Sequence, residues 1–541
     1  MKKYLFLILI FGPFLLFSQH NESQIYGDFR LNMQSYQEDE IIGAEKADEV
    51  ILNNSYLNIF FNKGKFTTGL RYESYLNALL DFDRDYRGNG VTYRFATYTI
   101  DGLEVTAGNY YEQLGSGMIF RSYENKDLGF DNAMDGVRLK YMAHDGIYLK
   151  AFIGKSRTYF TYSEGIIRGG DVELNINDAF SLKQKTKIIF GSSFVSRFQE
   201  DNNPKFNLPQ NVGVYSNRIN LSRSGINYYA EYAYKLNDPK GSLTEGENNY
   251  AAGNGIITNL TYSKKGFGIS VEMHRVDNME FRSERQTGKQ FIINYIPTLS
   301  KQHGYTLLTL NPSATQASGE FGYQADMFYK IKKGHLFGGR YGTKINANYS
   351  KILGLKGGNS VLTDNLEHTA PFVGDKNNLF FSDFNLEIVK KINKKLKTTA
   401  ILSLQQYNKD VMEGKTIGEY GIVESKIGVI DLLYKIKSKH SIRIEAQTLI
   451  AEKGEGDWSM GLIEYTVAPN WFITIQDIYN WGNKNPDNQL HYFNCNIGYT
   501  KGRNRFEIGY GKKRAGVFCV GGVCKEVPSS NGFNLNISST F

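Results

Sequence analysis

The sequence predicts an all-β protein that forms a single large antiparallel transmembrane β-barrel of the outer-membrane type. Three observations support this prediction. Many runs of about ten residues alternate with a two-residue period, short turns alternate with long polar connectors, and the chain begins with an export signal. After Phe17 no apolar run reaches the roughly 17 to 25 residues that a membrane helix needs.

The first 18 residues have the pattern of a secretory signal peptide. Lys2 and Lys3 precede an apolar stretch of 14 residues, 4–17, and Leu16-Phe17-Ser18 resembles a cleavage site. That stretch is shorter than a membrane-spanning helix, which disfavours an uncleaved anchor. The sequence therefore predicts a signal peptide at 1–18 and a barrel at 19–541.

The composition suits a membrane sheet and not a nucleic-acid-binding protein. There are 37 Tyr and 35 Phe in a polar chain, as expected of a barrel with aromatic girdles. Residues 19–541 carry 61 basic and 55 acidic side chains, a net charge of +6. This charge is small and scattered, so no nucleic acid partner is indicated.

The alternating runs indicate the strands. Clear runs are 55–61, 90–100, 135–142, 146–154, 225–236 and 504–511. From a first strand near Ile25 to Phe541 the pattern gives about 26 strands, within a range of 22 to 26, and 171–180 and 304–310 are the weakest. An even count places both termini on the same side, which is periplasmic in outer-membrane barrels.

The connectors fall into two classes. The tight ones are 62–65, 101–102, 144–146, 223–225, 264–266, 332–334, 468–470 and 501–504. The long ones are 35–54, 77–89, 114–134, 155–170, 199–210, 237–253, 275–288, 351–376, 408–424 and 512–531. Short periplasmic turns opposite long outer loops are typical of outer-membrane barrels. A soluble β-sandwich array or propeller is the alternative, but no repeat of 40 to 50 residues supports it.

No composition shift marks a separate plug domain, and only about six residues separate Gln19 from the first strand. A barrel of this size cannot be filled by its own wall, so inward loops or a partner must narrow it. The best loop candidate is Leu114 to Asp135, which could instead be an outer lid or a strand extension. Its candidate constriction residues are Arg121, Glu124, Lys126, Asp127 and Asp131.

Charged residues on strands are expected to face the lumen, because lipid rejects them. These residues are Arg71, Glu73, Arg138, Lys140, Glu272, His274, Lys344, Arg443, Glu445, Arg505 and Glu507. They either line a pore that selects solutes or form a salt-bridged lattice that stiffens the wall. The near balance of signs favours the lattice.

Other chemistry is sparse. Cys519 and Cys524 enclose a four-residue loop in an exported chain, which predicts a disulfide, although two free thiols are the alternative. Asp81, Asp83 and Asp85 form a weak candidate cation site, since Tyr86 and Thr92 replace the glycine and glutamate of a calcium loop. No motif indicates an enzyme or a cofactor.

The final strand resembles a known assembly signal. Phe533, Leu535, Ile537 and Phe541 resemble the β-signal of bacterial outer-membrane proteins, which implies folding by the outer-membrane assembly machinery. Residues 110–141 and 509–533 resemble an uncharacterised family of outer-membrane barrels from Bacteroidota. That resemblance covers the mature chain and implies no functional residues.

Two functions remain from the sequence. The first is a porin-like channel of the outer membrane, constricted by a loop or gated by a partner. The second is a non-conducting scaffold or binding component of an assembly, secretion or uptake complex. The expected partners are outer-membrane lipid, the assembly machinery and a protein partner or plug.

Overall fold

Twenty-four strands form a closed antiparallel β-barrel. The computed structural model describes residues 23–202, 207–238, 252–286, 288–355, 370–521 and 523–541. Each strand pairs with its neighbours along the chain, and the last strand pairs with the first from Asp28↔Thr540 to Gln34↔Asn534. The predicted signal peptide at 1–18 lies outside the described residues.

The barrel strands are numbered in chain order. The first eight are β1 (Ser23–Gln34), β2 (Leu52–Lys63), β3 (Phe66–Tyr75), β4 (Gly88–Ile100), β5 (Leu103–Tyr110), β6 (Met134–His144), β7 (Ile147–Thr158) and β8 (Thr161–Asn175). The next eight are β9 (Lys187–Phe198), β10 (Asn211–Arg223), β11 (Ile226–Lys235), β12 (Gly253–Lys264), β13 (Phe267–Asp277), β14 (Gly319–Ile331), β15 (Thr343–Gly354) and β16 (Leu379–Lys391). The last eight are β17 (Leu396–Asn408), β18 (Ile422–Lys437), β19 (His440–Ala451), β20 (Trp458–Val467), β21 (Trp471–Asn480), β22 (His491–Lys501), β23 (Asn504–Lys513) and β24 (Ser530–Thr540).

Helices are short and lie in connectors. The α-helices are Ile176–Ala179 and Lys409–Met412, and the 3₁₀ helices are Glu40–Ile42, Arg84–Tyr86, Lys289–Phe291, Thr306–Thr309 and Pro486–Asn488. None of the helices in the described ranges is long and apolar enough to cross a membrane. The described residues also contain no separate plug domain.

The described residues contain 24 barrel strands, not about 26, and this number stays within the predicted range. Residues 171–180 are not an extra strand, because they contain the end of β8 and a helical turn. Residues 304–310 form a 3₁₀ turn inside the barrel, where Leu307 and Leu308 are buried against the inner wall. An apolar pair that packs inward has the same local pattern as a short strand.

The connectors divide the barrel ends into a short-turn rim and a long-loop rim. The short-turn rim has tight links such as 64–65, 101–102, 145–146 and 502–503. The long-loop rim carries 35–51, 76–87, 111–133, 278–318 and 514–529, among others. The predicted long loop 155–170 is wrong, because β7 and β8 remain paired to Thr158↔Thr161.

Alternation separates a lipid face from a lumen face. In β22, Phe493, Cys495 and Ile497 are exposed on the outside, whereas Tyr492 and Asn494 lie on the inward face. The main apolar cores lie within the lumen, where the inner wall meets residues of inward-folded connectors. The core of this protein is therefore enclosed by the barrel.

Candidate functional site

Residues 111–133, termed the inward loop, fold into the lumen. Leu114, Met118, Ile119 and Phe120 are fully buried in a cluster that includes inner-wall residues of β7 to β13. The Ser116 N–H donates a hydrogen bond of 2.8 Å to the Glu231 carboxylate of β11. Because these contacts lie inside the wall, the loop is neither an outer lid nor a strand extension.

Gly115 allows the backbone to approach β11 closely. Its φ is +54°, in the left-handed region that favours glycine. A Cβ at this position would lie 2.6 Å from the Glu231 carboxylate. The turn that brings Ser116 to Glu231 therefore requires glycine here.

A buried cluster of ion pairs joins the inward loop to the wall, and we call it the latch. It contains Arg71 and Glu73 of β3, Arg157 of β7, and Glu124 and Asp131 of the inward loop. Arg71 lies 2.8 Å from Glu124 and 3.1 Å from Asp131. Arg157 lies 2.6 Å from Glu73 and 2.5 Å from Asp131. The two guanidinium groups thus connect the wall strands β3 and β7 to the C-terminal half of the inward loop.

Burial and neighbouring charges shift the pKa values of three residues in the inward loop. Burial raises the pKa of Glu124 and outweighs the opposing effect of the Arg71 guanidinium. Burial likewise lowers the pKa of Lys126, whose ammonium lies 3.8 Å from Glu124. Glu112 differs: burial opposes its ionisation, but Lys150 at 3.0 Å and other neighbours lower its pKa overall.

Glu73, Glu124 and Asp131 form a group of three carboxylates within 4.8 Å of one another. Arg71 and Arg157 already neutralise much of their charge. The arrangement is therefore that of an ion-pair cluster, because a cation would have to displace the guanidinium groups.

A second connector, residues 278–318, also enters the lumen and is termed the inner segment. The sequence indicated a long connector only at 275–288. The segment contacts inward-facing wall residues through Lys301 and Asn385 (2.9 Å), His303 and Asp383 (2.7 Å), and Tyr305 and Asp431 (3.0 Å). Leu307 and Leu308 are buried among apolar residues of β17 to β20.

The inner segment was missed, although one signal was available. Ile427 and Val429 are buried on the inward face of β18, while Ile430 is exposed on the outer face. A strand that is apolar on both faces is covered on both sides. This pattern indicates an occupant inside the barrel, but it does not identify which connector supplies it.

The inward loop and the inner segment form one packed body. The backbone N–H of Arg121 donates to the Ile293 carbonyl (2.8 Å), and the side-chain amide of Asn294 donates to the Met118 carbonyl (3.0 Å). The Arg121 guanidinium lies 4.2 Å from the centre of the Tyr295 ring. Movement of one segment therefore disturbs the other.

The connector between β23 and β24, on the long-loop rim, covers this body with a hairpin, Gly516–Val520 paired with Val523–Val527. A disulfide joins Cys519 to Cys524. The Tyr295 hydroxyl donates to the Gly521 carbonyl (2.8 Å), and the Lys289 ammonium donates to the Cys524 carbonyl (2.9 Å). The cross-linked hairpin is thus held against the inner segment.

Asp81, Asp83 and Asp85 do not form a cation site. Asp81 lies 2.7 Å from Lys525 of the hairpin. Asp83 caps the 3₁₀ turn Arg84–Tyr86 and accepts a hydrogen bond from the Tyr159 hydroxyl. The turn separates carboxylates that would share one face of an extended strand, and they are absent from the carboxylate groups found in the described residues.

The predicted lumen charges lie on inward faces, and most are paired there. The contacts are Arg71 and Glu73 in the latch, Arg138 and Lys140 with Glu104 and Glu112, Glu272 with Asn259, His274 with Glu320, Arg443 with Glu445 and Asp431, and Arg505 with Glu507. Lys344 is exposed near the short-turn rim. Among the constriction residues, Lys126 and Asp127 line the open cavity.

A cavity of about 990 Å³, lined by both polar and apolar side chains, remains beside the packed body. One side is formed by inward residues of β1 and β21 to β24, and the other by the inner segment, Lys126 and Asp127 of the inward loop, and the hairpin. The lumen is therefore divided into a filled part and an open part, with the inward loop at the boundary.

Comparisons with known proteins describe the architecture only. The chain is similar to the P pilus usher (PapC) translocation pore at 8% identity, 96% coverage of this chain, 99% of that chain and a TM-score of 0.44. For the siderophore receptor PirA from Pseudomonas aeruginosa the values are 8%, 97%, 81% and 0.42. For a BenF-like porin from Pseudomonas fluorescens they are 8%, 82%, 97% and 0.36. These TM-scores are below 0.5, so no functional argument follows from them.

No curated protein matches the chain significantly. The sequence profile of a family of unknown function (DUF6029) matches residues 1–541.

Proposed function

The chain belongs to a family of unknown function, DUF6029, and from the geometry of the chain we propose that this protein is a porin-like channel of the outer membrane. In this proposal the inward loop and the inner segment narrow the channel. Barrels of 16 to 18 strands already leave an aqueous channel, and this one has 24 strands. The observation that carries the proposal is the cavity of about 990 Å³ beside a loop that the latch anchors.

The proposed topology follows the two rims. The short-turn rim and both termini are periplasmic, and the long loops face outward. A cleaved signal peptide at 1–18, folding by the assembly machinery through Phe533, Leu535, Ile537 and Phe541, and contact with outer-membrane lipid belong to the same proposal. A Bacteroidota origin stays a prediction.

A non-conducting scaffold is the second candidate function. The observation in its favour is the apolar cluster that joins the inward loop, the inner segment and the wall. An apolar core inside the lumen resembles a permanent filling more than a movable constriction. In that case the long-loop rim would act as the binding surface for a partner.

Single-channel conductance in planar bilayers distinguishes the two candidates. The refolded mature protein is compared with a variant that lacks residues 115–133. Larger or more frequent steps after the deletion support a channel constricted by the inward loop. Silence of both proteins, each with an intact barrel by heat-modifiable mobility, supports the scaffold.

A further inference from the structure

Side-chain amides form a large part of the strand surface that lines the cavity. Asn32 of β1, Gln476 of β21, Asn494 and Asn496 of β22, and Asn534 and Asn536 of β24 all line the cavity. We call this surface the amide wall. The alternate residues of the same strands, such as Ile475, Phe493 and Phe533, are exposed on the outer face.

Strand register brings these amides together across five neighbouring strands, β21 to β24 and β1. Asn496 pairs with Gly509 of β23, which pairs with Asn534, while Asn536 pairs with Asn32. Gly509 and Gly511 face inward between the asparagines, and a Cβ at either position would collide with the Asn496 or Asn494 side chain. The two glycines therefore let the amides of β22 and β24 extend over β23.

Several of these amides are free to bind a ligand. In the described part of the chain, the side chains of Asn32, Gln476, Asn534 and Asn536 form no hydrogen bond to another residue. They are partly exposed to the cavity. Each amide offers two donors and a carbonyl acceptor without net charge, which matches hydroxyl groups that both donate and accept.

The charges around the cavity are partly neutralised. Lys512 lies 2.5 Å from Asp39, and Lys525 lies 2.7 Å from Asp81. Arg30 and Lys513 also line the cavity and have no ion pair within the described ranges, so the cavity keeps an excess of positive charge. A comparison of neutral with anionic solutes therefore shows whether charge or hydroxyl groups determine binding.

We propose that the amide wall binds neutral, hydroxyl-rich solutes of a few sugar units. A cavity of about 990 Å³ accommodates a ligand of this size. Tyr492 lines the same cavity and supplies an aromatic face next to the amides. This inference deepens the proposed function and rests on it, since the solute reaches the wall through the lumen.

Isothermal titration calorimetry on the detergent-solubilised mature protein tests the inference. The probes are maltotriose, cellotriose and mannotriose, with triglycine and trigalacturonate as the peptide and anionic comparators. We expect at least one neutral trisaccharide to bind more tightly than both comparators. Loss of hydrogen bonds in the double variant Asn32→Leu/Asn536→Leu should weaken that binding by about tenfold.

Asn220→Leu is the matched control, because Asn220 also faces inward, in β10, but lies outside the cavity. Asn496→Leu serves as a second variant if the double variant fails to fold. The inference is overturned if none of the neutral trisaccharides binds, if a comparator binds as tightly, or if the control weakens binding equally. Calorimetry does not depend on conductance. Sugar binding by a protein that shows no channel steps would therefore contradict the proposed channel and not the amide wall. Channel steps without sugar binding would contradict the amide wall and not the channel.

Discussion

At the residue scale, the latch shows how buried charges can hold a loop inside a barrel. Arg157 is fully buried, yet each of its guanidinium nitrogens has a partner at 3.0 Å or less. Burial of a lone charge would be prohibitive, so such a group is tolerated only in a complete set. The loop supplies Asp131 to Arg157, and Glu124 and Asp131 to Arg71, and these pairs make its docked position specific.

Replacing Arg157 with Leu should release the inward loop. The change removes the Arg157 guanidinium from Glu73 and Asp131 and leaves them the more distant Arg71. Breaking a buried pair in this way costs about 3 to 5 kcal/mol. We expect conversion of the heat-modifiable band at a lower temperature and faster proteolysis of the loop. Arg505→Leu is the control, because Arg505 is half-exposed and its pair with Glu507 contributes no more than about 1 kcal/mol. Equal effects of the two changes would contradict the latch.

Acidification should strengthen docking of the inward loop through Glu124. Its pKa is raised by burial, so the docked loop binds a proton more tightly than the released loop. The stabilisation is present below the ordinary Glu pKa and is lost as pH rises through the raised value. Arg71, Lys126, Asp131 and Glu73 face this carboxyl.

Channel openings should therefore become rarer as the pH falls through the raised pKa of Glu124 toward the ordinary Glu range. Glu124→Gln mimics the protonated form and should remove most of this dependence. Conductance recorded at several pH values for both proteins provides the measurement. Glu112 has a lowered pKa and acts in the opposite sense, but only as pH falls below the ordinary Glu range. An unchanged pH profile in the variant would exclude Glu124 as the cause.

At the element scale, three connectors depend on one another. The inward loop contacts the inner segment, and the inner segment contacts the cross-linked hairpin through Tyr295 and Lys289. The hairpin also reaches Asp81 in the connector 76–87 through Lys525. Loosening the hairpin is therefore expected to weaken the docking of the inward loop, although the two segments are far apart in sequence.

Removal of the disulfide should make the channel open more often. Cys519→Ser/Cys524→Ser loosens the hairpin, which then holds Tyr295 and Lys289 less firmly. Single-channel recordings give the opening frequency, and a non-reduced digest of the parent protein should contain the linked peptide. Cys495→Ser is the control, because Cys495 is exposed on the outer face of β22. A double variant with parent-like openings would argue against coupling through the hairpin.

At the scale of the whole molecule, closure between β24 and β1 completes the barrel. The Gly27 N–H donates to the Phe541 carbonyl (3.1 Å), and the Phe541 N–H donates to the Gly27 carbonyl (3.0 Å). The Phe541 ring lies over Gly27, where a Cβ would collide with it. Phe541 therefore covers the seam in addition to its proposed role in assembly.

Deletion of Phe541 should reduce assembly of the barrel. The seam loses two backbone hydrogen bonds and an aromatic contact, and the proposed assembly signal loses its last residue. Abundance in the membrane fraction and heat-modifiable mobility measure the effect. Phe518→Ala, which removes an exposed aromatic ring from the hairpin, should leave both unchanged. Normal abundance and mobility after the deletion would refute the role of Phe541.

The sequence predicted the wall better than the contents of the lumen, for a physical reason. Strand faces follow from local alternation, so Arg71, Glu73 and Glu124 were each recognised as inward or loop charges. Their meeting depends on contacts across dozens of residues, as does the pairing of Tyr305 with Asp431. Arg157 was missed because residues 155–170 were interpreted as a loop, and no local pattern marks its partners.

The amide wall comes from the two ends of the chain, whereas the packed body comes mainly from its middle. Residues 471–541 and 23–34 supply the surface that we propose touches the solute, and residues 111–133 and 278–318 supply the constriction. Exchange of β1 and β21 to β24 between homologous barrels, with the cross-linked hairpin kept, would therefore be expected to change the solute preference and leave the contacts of the constriction in place. The strands of the amide wall and the connectors of the constriction thus occupy separate parts of the sequence, and gene recombination can change one without the other.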